Sequence, residues 1–271
     1  MKKALLIVFI TIFSSPAFSQ KYEEVGLFFG GSYFIGDVYS SVSKNTHLTY
    51  GVNYRKNFNS RWALNFLLRQ AKITGEDVNS SMAFEQQRNL SFQSNVADLS
   101  ALIEFNFLDF KPYSPQSFFQ LSDVFTPYLG IGISVVRFNP KASLAGNLYE
   151  LQPLQTEGVE YSKVTVAFPI VLGFKFRLSD RFLLGIAGEL RITATDYLDD
   201  VSTRYPSDPD LLAKTTRDMS NRSLQAQGVG GDSWGTQRGD EYDNDWFSYL
   251  GFTFTYNLRK NPGSCHFNTR K

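Results

Sequence analysis

Cysteine is almost missing from this chain. Cys265 stands alone, so no internal disulfide framework of a small secreted fold is available. Histidine is nearly as scarce, with only His47 and His266. A hydrolytic site needs a nucleophile, a base and an orienting group within hydrogen-bond reach, and no Ser-His arrangement is evident, so an enzyme is not expected. Past the first nineteen residues no apolar run reaches the roughly eighteen needed for a membrane-crossing helix. Charge of one sign is lacking too. Without Lys2 and Lys3 the chain carries 25 basic against 26 acidic residues, which speaks against nucleic acid as a partner.

What is present begins with an export signal. Met1-Lys2-Lys3 supplies a positive start, Ala4 to Phe13 a short apolar segment, and Ala17-Phe18-Ser19 a small-residue cleavage site before Gln20. Aromatics are abundant, with 25 Phe and 14 Tyr, yet mean hydropathy is below zero. A membrane barrel reconciles these facts, because it hides its lipid-facing half in alternate positions where averaging conceals it.

The stretch Val164 to Leu178 shows that alternation most clearly. Val164, Val166, Phe168, Ile170, Leu172, Phe174, Phe176 and Leu178 fall on one face. Thr165, Ala167, Gly173, Lys175 and Arg177 fall on the other, as a period of two requires. Pro169 removes one ladder donor and counts against the strand without overturning it. Seven further segments alternate in the same way: 22–34, 47–58, 62–69, 92–107, 126–138, 181–195 and 246–258. Asn59-Ser60 and Ser179-Asp180 read as tight turns, while the links 35–46, 75–91, 139–163 and 196–245 are long. Short turns on one side and long loops on the other are the habit of outer-membrane barrels, and an even strand number returns both termini to the periplasm. The link 108–125, with Pro112 and Pro115, is the exception, and reads either as a protruding contact element or as a variable loop.

The expected architecture is therefore an all-β, eight-stranded antiparallel transmembrane barrel over residues 20–258. Residues 1–19 are the signal and 259–271 a polar periplasmic tail. The inward set holds Glu24, Asp98, Glu104 and Glu189 with Arg55, Arg69, Lys175, Arg177 and Arg191. Eight strands leave a bore only wide enough for side chains, so these charges are expected to form a polar network that fills it. Trp62, Trp246 and the strand-end tyrosines read as interfacial girdles.

Two acidic clusters stand in or beside the longest loop: Asp196, Asp199 and Asp200, then Asp240, Glu241, Asp243, Asn244 and Asp245. Oxygen ligands suit calcium, but the spacing matches no EF-hand loop and solvated loops are commonly acidic, so no metal, cofactor or small-molecule substrate is assigned. Arg238-Gly239-Asp240 spells an adhesion tripeptide too short to carry a function, and the glycines 228–239 do not lead from a strand into a helix as a phosphate cradle must.

Glu24-Val25-Gly26 leads to Gly31-Ser32-Tyr33-Phe34-Ile35-Gly36-Asp37, and Tyr54-Arg55 to Asn59-Ser60-Arg61-Trp62-Ala63. Arg88-Asn89-Leu90-Ser91-Phe92, Glu104-Phe105-Asn106-Phe107, Thr126-Pro127-Tyr128 and Pro140-Lys141-Ala142 follow. The most distinctive run is Thr195-Asp196-Tyr197-Leu198-Asp199-Asp200-Val201-Ser202-Thr203, with Gln237-Arg238-Gly239 and Asn244-Asp245-Trp246 beyond it. On these residues the chain resembles the PorG-like outer-membrane barrels of the Bacteroidota type IX secretion and gliding machinery. The resemblance implies a non-enzymatic anchor in outer-membrane lipid that contacts periplasmic ring proteins. It also implies that Asp196, Tyr197, Asp199, Asp200, Arg238, Gly239, Asn244, Asp245 and Trp246 brace the large outer loop. A small OmpA-like surface barrel for adhesion or envelope integrity, or a narrow porin, are the alternatives.

Overall fold

The computed structural model describes residues 22–111, 121–179, 181–223 and 233–258. The segments assigned to the signal and the tail, and residues 112–120 of the proline-bearing link, lie outside them. Eight long strands form the wall: β1 (Tyr22–Ile35), β2 (His47–Asn57), β3 (Trp62–Glu76), β4 (Ser91–Asn106), β5 (Phe125–Arg137), β8 (Val164–Arg177), β9 (Phe182–Thr193) and β10 (Trp246–Asn257). All neighbours are antiparallel in the order β3-β2-β1-β10-β9-β8-β5-β4, and β4 pairs back onto β3 from Trp62↔Phe105 to Glu76↔Ser91. The barrel is thus closed, with β3 and β4 running on together past their other neighbours at one end.

The side-chain period sets inside from outside. On β8 Val164, Phe168 and Leu172 are exposed while Ala167, Val171 and Lys175 are buried, and β4 alternates Leu99 and Ile103 outside with Asp98, Ser100 and Glu104 inside. Pro169 leaves its mark. The β5–β8 ladder runs through Ile131↔Ile170 and resumes at Ser134↔Ala167, so it is broken opposite the residue that has no N–H to give. Gly132 sits at this break, and a Cβ there would collide with the Ala101 carbonyl oxygen, so only glycine fits the close approach.

One end of the barrel is made of tight turns. Asn59 Oδ1 accepts from the Arg61 and Trp62 amides, both at 2.8 Å, and the Leu178 and Ser179 amides both donate to the Phe182 carbonyl. Long connections fill the other end. The link 139–163 differs from the expected plain loop, because it contains a hairpin of β6 (Pro140–Leu144) and β7 (Asn147–Glu150) that pairs through Lys141 and Pro140 with Gln93 and Ser94 of β4. Its turn residues Ala145 and Gly146 have φ of 50° and 84°, the positive pair that a twisted two-residue hairpin demands. Beneath the long connections lies the main apolar core, with Phe28, Phe34, Val38, Ile73, Phe138 and Phe247 among its members.

Candidate functional site

Two structures occupy the axis: a filled lumen and a braced cap over its loop end. In the lumen, β1, β2, β4 and β8 bring four charges together near the turns. Arg55 Nη1 donates to Glu24 Oε2 at 2.7 Å and its Nε to Glu104 Oε2 at 2.8 Å. Lys175 Nζ reaches the same Glu104 oxygen at 2.7 Å, and Asn65 Nδ2 reaches Oε1 at 2.6 Å. Arg177 is buried on the same face of β8.

A second layer lies nearer the loops. Arg191 bridges Asp98 and Glu189, each at 2.8 Å, Arg69 meets Glu189 at 3.3 Å, and Ser100 donates to Asp98. Arg69 also lies over the Phe28 ring at 4.1 Å and Lys175 over Tyr128 at 4.4 Å. Leu67, Leu102, Tyr128, Val171 and Ala187 pack together beside these layers, all but Tyr128 from strands that also carry lumen charges. Each layer holds two carboxylates against at least two cations, so attraction and hydrogen bonds offset the cost of desolvating them. Among the described residues, these charged, polar and apolar side chains occupy the lumen. The aromatic rings that fill gaps here, Phe28, Tyr128 and Tyr249, escape a reading that tracks charge alone.

The cap ties all four long connections to one another. Arg238 is its centre, only 2% exposed. It donates to Glu157 Oε1 at 2.8 Å, to the Asp200 carbonyl at 2.5 Å and to the Ser220 carbonyl at 3.3 Å. Arg88 grips Asp77 through two bonds of 2.7 and 2.9 Å and also holds the carbonyls of Asp37 and Arg238. Glu157 accepts from the Ser202 and Thr203 amides, Asp199 from those of Val38 and Val201, and Asp245 from that of Leu198. Asp200 takes the Tyr161 and Thr156 hydroxyls, and Tyr197 stacks on Tyr161 at 4.6 Å and 8°. Gly239 passes so close to Asp37 and Ser202 that a side chain there would collide with both.

Of the residues singled out for the outer loop, Asp196, Asp199, Asp200, Arg238, Gly239 and Asp245 are buried in the cap and Tyr197 is partly so, whereas Asn244 is exposed and Trp246 faces outward at the first pair of β10. Arg238 is therefore unavailable as part of an exposed adhesion tripeptide. Asp37, Asp77, Arg88 and Glu157 were not singled out as site residues. They come from three different connections, and only the fold brings them to the others.

The cap is acid-rich. Burial raises the Asp196 carboxyl to about 8, reinforced by Asp37 and Glu157. Burial lifts Asp37 to about 6 against the pull of the Asp240 amide and Arg88, and Asp200 to about 6 against Arg238. Asp199 and Asp245 are held well above the usual carboxylate range by burial and then by neighbouring acids, Asp37 for the first and Asp199 for the second. Among the described residues no three His, Cys, Asp or Glu side chains form a group that holds a metal ion.

No curated protein matches the chain. Among solved structures it is similar to the attachment invasion locus protein Ail of Yersinia pestis in complex with the heparin analogue sucrose octasulfate (9% identity, 88% of this chain and 97% of that one, TM-score 0.40). It is also similar to the outer membrane protein OprG of Pseudomonas aeruginosa (10%, 88% and 97%, TM-score 0.41) and to Neisserial surface protein A (10%, 87% and 96%, TM-score 0.39). These overlaps are too loose to carry an argument, and the barrel rests on its own strand pairing. At the level of sequence, residues 2–215 match a family described as a domain of unknown function, DUF6089, and the chain belongs to that family.

Proposed function

We propose that this protein is a non-enzymatic outer-membrane barrel that anchors part of the type IX secretion and gliding machinery, with its turn end and tail contacting periplasmic ring proteins. The observation that carries the membrane part is the outward face. Leu48, Leu68, Leu99, Leu172 and Leu250 are all more than half exposed, an arrangement that water penalises and hydrocarbon favours. Rings flank the turn end of that face: Trp62 against Phe105 at 4.8 Å, Phe125 against Phe174 at 5.6 Å, and Phe182 against Phe254 at 5.2 Å. Such a belt matches an aromatic girdle at a membrane interface. The packed lumen supports an anchor over a channel, and an anchor makes and breaks no bond. The secretion role draws on the resemblance to PorG-like barrels.

Deleting the gene and assaying the secretome tests the role. Loss of an anchor strands secreted cargo in the cell, and the tagged barrel co-purifies with periplasmic ring proteins. Normal secretion after deletion overturns the reading.

A second reading, a surface barrel working through its outer loops, is favoured by the cap, in which hydrogen bonds and ion pairs tie four connections together at the loop end. Trimming residues 206–236 would then abolish surface binding with secretion intact.

A further inference from the structure

We propose, on the strength of the membrane-spanning reading above, that an outward cleft at the loop end binds the phosphate group of a lipid in the adjoining leaflet. β2 pairs with β3 only as far as Tyr50↔Gln70, and β5 with β4 only as far as Ala97↔Arg137. Beyond those pairs β3 and β4 run on as a ribbon to Glu76↔Ser91, and the β6–β7 hairpin joins its side. Between ribbon, hairpin and the residues before β2 is a cavity of about 320 Å³ lined by Lys44, His47, Lys72, Glu76, Gln93 and Lys141, among others.

Three lysines thus line the cleft beside one carboxylate, Glu76. Lys44 donates to the Asn79 amide oxygen at 2.8 Å and Lys141 meets Glu150 at 2.9 Å, while Lys72 has no carboxylate partner among the described residues. Lys72 shares the outward face of β3 with Leu68, four residues nearer the turns. Below the cleft Leu48, Leu68 and Leu99 are exposed at 72%, 51% and 58%. Cations set directly above an apolar wall match an anion carried on acyl chains, because one molecule satisfies both surfaces. A free phosphate would use only the upper half. The polar lining, with His47 Nε2 and Thr74 Oγ1 2.8 Å apart, gives further groups for phosphate oxygens.

The full chain, reconstituted in phosphatidylcholine vesicles, is offered phosphorylated lipid A or its dephosphorylated counterpart, and retained lipid is read by native mass spectrometry. The wild-type barrel retains the phosphorylated form preferentially. Lys72→Gln and Lys141→Gln each lower that retention by about fivefold, while Lys56→Gln at the turn end leaves it unchanged. Equal retention of both lipids, or retention indifferent to the two cleft substitutions, overturns the assignment. Displacement by inorganic phosphate alone, with no dependence on acyl chains, gives the cleft to a free anion and also overturns it. Insertion is scored separately by protease protection: a chain that fails to insert sinks the membrane reading as well, whereas insertion without lipid preference sinks this proposal only.

Discussion

The lumen and the cap bury charge in opposite ways. In the lumen every named carboxylate meets a cation: Glu24 and Glu104 meet Arg55, and Asp98 and Glu189 meet Arg191. In the cap Asp37, Asp77, Glu157, Asp196, Asp199, Asp200 and Asp245 surround just Arg88 and Arg238 among the described residues. Backbone amides satisfy several of those acids, but an amide supplies a partial charge where an arginine supplies a full one. The lumen acids are therefore balanced by pairing, whereas the cap acids shed charge by holding protons. Different responses to mutation and to pH follow.

The largest effect is expected where pairing is densest. Glu104→Ala leaves Arg55 and Lys175 facing each other without their shared partner, and removing one member of such a network costs about 3–5 kcal/mol. Urea unfolding of the barrel in detergent measures it, and a cost below about 1 kcal/mol would mean the lumen pairs are not buried as described. Next comes the wall. Leu172→Arg puts a cation at the middle of the outward belt and should cost roughly 2–4 kcal/mol of folding in lipid vesicles. Unimpaired folding would place Leu172 away from hydrocarbon.

The third effect separates the two regions by pH. Carboxyls whose folded pKa is raised bind more protons folded than unfolded, so their contribution is present in acid and is lost as pH rises. With Asp37 and Asp200 at about 6 and Asp196 at about 8, the loss spans about pH 4 to pH 8. Amide exchange in residues 196–205 should accelerate across that window while exchange in β4 and β9 stays constant. Parallel acceleration in both would erase the contrast. The smallest effect is Asp245→Asn. Asp245 Oδ2 takes the Leu198 amide while Oδ1 has no donor among the described residues, so an amide nitrogen can replace Oδ1 as the protonated acid does. Stability at pH 5 should change little, and the exchange of residues 196–205 should lose part of its pH dependence.

Much of the wall is legible along the chain. Leu172 and Lys175 declare their faces through a period of two, and a parity error would turn a whole strand inside out, so the signal is redundant. The polar membership of the lumen is legible for the same reason, but which cation meets which acid is not: Arg55 and Glu104 stand 49 residues apart. Interruptions of the pattern are harder. The β6–β7 hairpin turns on Ala145-Gly146, which lacks the Asn-Gly or Asp-Gly signature, and its pairing with β4 exists only once β4 overruns β5. The cap is harder still. Asp199 reaches Val38 across 161 residues, and Arg88 reaches the Arg238 carbonyl across 150. Acidic runs such as 196–200 look the same in sequence whether solvated or buried.

By itself the sequence determined that eight alternating ribbons present one apolar and one polar face, because side-chain direction along a strand is a local property. Tertiary structure alone decided that the polar face would pair into two charged layers and that the loop acids would be buried together. Those outcomes depend on distances between residues far apart in the chain, which exist only after the barrel has closed.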